Sequence, residues 1–116
     1  MITPGVYPMQ CEQGATFDKT FTVTQNGTAV NWTGYTAKMQ VRRYANLNET
    51  AVLTLTTGGG GITTLTNDGK IIITATATQT AAITAGNYVY DIELTSGTYK
   101  VRILQGRFTV TPQVTD

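Results

Sequence analysis

The chain has 116 residues, enough for one domain that buries its own core without disulfides or metal, and short for two. Only 13% of the residues are charged and the formal net charge is +1, which leaves no broad field to draw in nucleic acid or an anionic membrane. Threonine fills roughly a fifth of the chain and, with the Val, Ile and Tyr content, favours strands over helices, so the expected class is all-β.

From the N-terminus, Met1 to Gln13 contains Pro4, Gly5 and Pro8 and no clear alternation, which predicts an extended arm over 1–13, packed on its own domain as an edge strand or reaching a neighbour, ahead of a folded domain over 14–116. Thr16 to Thr24 alternates, with Phe17, Phe21 and Val23 on one face and Lys19 sharing it near a sheet edge. Asn26-Gly27 is a two-residue hairpin signal with Ala29-Val30 on the returning arm, and Asn31-Trp32-Thr33-Gly34 is a second break. Tyr35, Ala37, Met39 and Val41 then alternate with polar residues, a strand with one buried and one wet face. Arg43 to Thr50 reads as a surface loop, and Leu53 and Leu55 mark a short strand. The run Gly58 to Gly61 reads as a loop between strands, because no Lys-Ser/Thr pair or helix follows at phosphate-loop spacing. Asn67-Asp68-Gly69 is a turn. Lys70 to Thr76 is a strand whose Ile71 and Ile73 face away from Ile72, and Gln79 to Thr84 is the one stretch with helical character.

Tyr88 to Val110 organises the chain. With Ser96-Gly97 as a two-residue turn, the facing pairs are Leu94/Tyr99, Glu93/Lys100, Ile92/Val101, Asp91/Arg102 and Tyr90/Ile103, so apolar residues meet on one face and acids meet bases on the other. Inward parity changes between Ile103 and Phe108, which requires one absorbed residue, and Gly106 is the expected bulge. Gly86 to Tyr90 resembles the approach to a tyrosine corner. The expected fold is a single immunoglobulin-like antiparallel β-sandwich of about seven to eight short strands with an extended N-terminal arm.

Site chemistry is sparse. The chain has no histidine, which removes Ser-His-Asp and Cys-His catalysis and the usual zinc sites. Cys11 is the lone cysteine, so no intrachain disulfide forms, and it reads as an incidental thiol. Asp91 and Glu93 read as cross-strand partners of basic residues rather than as an acid/base pair. No enzyme, cofactor or metal is expected. Arg42, Arg43 and Tyr44 form a basic-aromatic cluster at a strand end and, with Val6, Tyr7 and Met9 of the arm, are the candidate partner-docking residues. MITPGVYPMQ has no basic segment leading into an apolar core, and no apolar run is long enough to cross a bilayer, so a cytoplasmically made product is expected.

Four segments in order, GATFDKTFTV, VNWTGYTAKMQVR, TNDGKIIITATATQTAAITAGNYVYDIEL and RILQGRFTVTPQVT, resemble small virion proteins of tailed bacteriophages, similar to the N-terminal domain of the phage baseplate upper protein family. The likeness covers Gly14 to Thr115. It implies a small β-sandwich that docks other phage structural proteins in a multi-copy assembly, with homo-oligomerisation inside the virion, no catalysis, and neither nucleic acid nor membrane as partner. A tail, baseplate or fibre-attachment adaptor is the first expectation and a capsid decoration protein the second. The expectation from another class is a carbohydrate-binding module contacting the host surface, with Trp32, Tyr35, Tyr44 and Tyr99 as stacking groups.

Overall fold

A computed structural model describes residues 5–25, 27–44, 48, 50–63 and 69–114. The chain is an all-β sandwich of two main sheets. Its strands are β1 (Gly5–Val6), β2 (Met9–Glu12), β3 (Phe17–Thr22), β4 (Thr24–Gln25), β5 (Thr28–Ala29), β6 (Thr36–Arg42), β7 (Leu53–Thr56), β8 (Ile62–Thr63), β9 (Lys70–Ala75), β10 (Gly86–Ser96) and β11 (Tyr99–Thr111), with one short helix, α1 (Ala77–Ala81). One sheet has the order β1-β11-β10-β6-β7, with β2 also on β11, and the second has the order β3-β9-β8. The two-residue segments β4 and β5 pair with each other around Gly27; Asn26, the other half of that turn signal, lies outside the described residues, as do Asn67 and Asp68.

The alternation read from the chain becomes the core. Ala37, Met39 and Val41 of β6, Ile92 and Leu94 of β10 and Ile71 and Ile73 of β9 are buried, and the Phe17 and Phe108 rings meet across the sandwich 5.5 Å apart. Edge-to-face contact at that separation adds to what their area burial already contributes. Ile72 is half-buried, as its place on the opposite face of β9 predicts. Lys19 shares the apolar face of β3 and extends its ammonium over the Tyr7 ring, 5.1 Å from the centroid. The glycine run links the two sheets: Gly61 accepts from the Thr74 N–H at 2.7 Å, and a Cβ there would lie 2.5 Å from Leu55 Cδ2.

Over its described length the arm packs on its own domain: β1 and β2 run parallel to β11, with Gly5 opposite Leu104 and Met9 opposite Phe108. Two expectations about the hairpin need correction. The hairpin turns at Gly97-Thr98, so Ser96 faces Tyr99 and Leu94 faces Val101. Between the turn and the bulge that register differs from the expected one by two residues, which keeps each side chain on its face, so alternation alone could not separate the two; beyond the bulge the difference is three, as Ile92 faces Leu104 and Tyr90 faces Gly106. The bulge exists but sits at Ile103: Glu93 faces Arg102 and Ile92 faces Leu104, leaving Ile103 as the extra residue. Gly106 serves another purpose, since a Cβ there would lie 2.8 Å from the Tyr7 carbonyl oxygen; its bare backbone admits β1.

The helix begins two residues earlier than Gln79 because Thr76 caps it. Its hydroxyl accepts from the Gln79 N–H at 3.1 Å, and the Gln79 side chain accepts from the Thr76 N–H at 2.9 Å, a reciprocal capping box. Beyond it, the Tyr88 hydroxyl donates to the Thr84 carbonyl at 2.6 Å and ties the loop to the start of β10.

Candidate docking groove

The outer face of the larger sheet has no layer over it among the described residues and carries the polar half of each alternating strand. Strand register aligns these side chains in rows. Arg42, Val89 and Arg107 form one row across β6, β10 and β11; Gln40, Asp91 and Gln105 form the next, with Val6 of β1 beside Gln105; Lys38, Glu93 and Arg102 form the third. The bulge at Ile103 makes this possible, because the parity switch brings Gln105 and Arg107 to the same face as Arg102. The first two rows and Arg102 of the third line a groove of about 660 Å3 whose rim includes Val6 and Tyr44.

Arg102 places Nε 3.2 Å from Asp91 and Nη2 4.0 Å from Glu93. These pairs are partly exposed and so are worth about 0–1 kcal/mol each. The Asp91 carboxyl is nevertheless held above its ordinary value, first by burial in the groove floor, against which Arg102 and Arg42 pull it down. Arg107 forms no ion pair among the described residues.

The candidate docking residues divide between this groove and the interior. Val6 is 76% exposed and Tyr44 59% exposed, and both lie on the groove rim with Arg42. Arg43 is exposed next to them, its guanidinium pushed up chiefly by a hydrogen bond to Tyr44. Tyr7 sits at the sandwich edge with its ring against Phe21, 5.2 Å between centroids, and its carbonyl accepts from the buried Tyr90 hydroxyl, whose ionisation is pushed up by burial. Met9 is a correction: it is 5% exposed and belongs to the core, because parallel pairing on β11 turns Met9 and Cys11 inward together. Arg102 and Arg107 line the groove as well, and their parity on either side of the bulge was the sequence signal for them.

The aromatic platform is also corrected. Trp32 is 1% exposed and donates from Nε1 to the Gly69 carbonyl at 3.3 Å, so it closes one end of the core. Tyr35 meets Trp32 at 83° and Tyr99 at 80°, edge to face rather than coplanar, which offers no flat surface for a sugar ring. Cys11 is buried, and that burial pushes its thiol up, keeping it protonated and poorly nucleophilic. Among the described residues no group of three His, Cys, Asp or Glu side chains is placed to hold a metal ion. Among the described residues no helix is long and apolar enough to cross a membrane.

In comparisons with known proteins, no family model and no curated protein matches the chain.

Proposed function

We propose that the chain is a non-enzymatic docking domain of a tailed-phage particle, an adaptor of the tail, baseplate or fibre attachment. The observation that carries a docking role is the uncovered arginine-rich groove on the larger sheet, where the sequence-flagged Val6, Arg42 and Tyr44 meet on one rim. Arginine and tyrosine supply much of the energy at protein interfaces, and a rigid sheet holds them in place without an ordering cost. The phage context rests on the four ordered segments from GATFDKTFTV to RILQGRFTVTPQVT. An immunoglobulin-like arrangement is supported by the β3-β9-β8 sheet packed on β11-β10-β6-β7 and by the Tyr88 corner.

Cryo-electron microscopy of purified particles tests this. Density of this 12.5 kDa size repeated around the tail axis is the expected result. Density over the icosahedral shell would make it a decoration protein, and absence from particles would overturn the phage reading.

A further inference from the structure

The smaller sheet ends on β3, whose far side meets no other strand among the described residues. Its open backbone groups can be assigned. The Val23 N–H donates to the Gly69 carbonyl at 2.9 Å, in the register that pairs Phe21 with Ile71 and Phe17 with Ala75, so Phe17, Lys19 and Phe21 exchange hydrogen bonds with β9. Asp18, Thr20 and Thr22 therefore direct their N–H and C=O groups outward. The same side stays open into β4, because the Val23 carbonyl accepts from the Val30 N–H at 3.0 Å and Thr24 is turned outward as well. Other edges are blunted. Pro8, which has no N–H, separates β1 from β2, and the Glu12 carbonyl at the end of β2 is taken by the Ala15 N–H. At the end of β7, Thr56 and Gly60 exchange bonds of 3.0 and 2.9 Å, and β8 is only two residues long.

We propose that this edge pairs with the same edge of a second copy of the chain, antiparallel about a two-fold axis at Phe21. In that register Asp18 faces the second copy's Thr24 and Thr20 faces its Thr22. These are the outward-directed positions, so each pair exchanges backbone hydrogen bonds. On the inner face Phe21 meets its own image and Lys19 lies opposite Val23; Phe21 and Val23 are only partly buried in the single chain, where they pack against its core. No like charges meet. An inward-pointing charge such as Lys19 commonly guards an edge, but here its ammonium is held over the Tyr7 ring, 5.1 Å from the centroid, and its stem is left to cover Val23. Moving the axis to Lys19 would set two ammonium groups side by side, and moving it to Thr20 would leave Thr24 opposite Thr16, which lies outside any strand. The pairing joins the β3-β9-β8 sheets of two copies into one continuous sheet. Self-complementary side chains on both faces favour a second copy over an unrelated strand.

The edge belongs to the other sheet from the groove, so this interface stands or falls apart from the docking role. It is tested by sedimentation of the full chain from about 10 µM to about 1 mM, with amide hydrogen exchange followed by NMR at both ends of that range. Expected is a concentration-dependent dimer in which the Asp18, Thr20, Thr22 and Thr24 amides gain protection at high concentration, while those of Lys19 and Phe21 are protected throughout. Thr22→Pro removes one outward N–H from each copy at an edge position that tolerates proline, and should weaken dimerisation about tenfold while leaving the monomer's melting temperature unchanged. The register is read separately. Thr24→Asp sets a second carboxylate opposite Asp18 and should weaken the dimer several-fold, whereas Thr24→Lys should tighten it. A chain that stays monomeric at the highest concentration, or a dimer indifferent to Thr22→Pro and to both Thr24 variants, would overturn the proposal.

Discussion

Thr80 is fully buried, and its hydroxyl accepts from the Gly14 N–H at 3.1 Å while lying 2.8 Å from the Ala15 carbonyl and 3.1 Å from that of Ala77. Thr80→Val keeps the volume and strands those backbone groups, so urea unfolding should show a loss of about 1–3 kcal/mol with an unchanged m-value. Asp91 bears on pH dependence. Its folded-state pKa is raised, so the folded protein binds that proton more tightly than the unfolded chain does. The resulting stabilisation is complete below the ordinary aspartate range and is lost as pH rises through the raised value. Melting temperatures of wild type and Asp91→Asn, followed between about pH 3 and 7, should therefore diverge in the variant's favour as pH increases. Trp32 was the residue least legible in the sequence. It stands in a turn between Asn31 and Thr33, where neither period-two alternation nor composition reports that its indole folds back over the core to reach Gly69.

At the scale of elements, β6 and β7 were legible because each alternates strictly, with Met39, Val41, Leu53 and Leu55 buried. β2 was hidden by its surroundings. Pro8 precedes it, and only Met9 and Cys11 alternate inward, too few positions for a pattern to stand out. Burial of Met9 contributes about 1.5–3 kcal/mol and the smaller Cys11 adds to it, so removing residues 1–12 should lower stability by about 2–4 kcal/mol in a denaturant titration. A melt nearly unchanged by that deletion would restore the reading of 1–13 as a free arm. The bulge shows a related limit: the parity change from Ile103 to Phe108 announces one extra residue, but parity cannot say which residue it is. The groove inherited that uncertainty. Val6, Arg42 and Tyr44 could be singled out by residue type, whereas Arg107 joins them only once the bulge has been placed.

Across the whole molecule, the low charge conceals a polarised surface. A net charge of +1 coexists with a sheet face that gathers Lys38, Arg42, Arg102 and Arg107 beside the Asp91 and Glu93 carboxylates. The largest-scale feature is the closure of the chain on itself. β1 and β2 lie parallel to β11, held at their flanks by the Tyr7 N–H to the Gln105 carbonyl and the Gln13 N–H to the Thr111 carbonyl, both 3.0 Å. For parallel strands at the two ends of a domain, a pull on those ends acts along the ladder from opposite directions. Its hydrogen bonds are then loaded together in shear, rather than opened one after another as in a peeled hairpin. In single-molecule stretching the intact chain should therefore yield in one abrupt rupture, and a chain without residues 1–12 should give way at markedly lower force. The N-terminal strands thus act as a mechanical clasp, able to transmit tension between whatever is joined to the two ends of the sandwich.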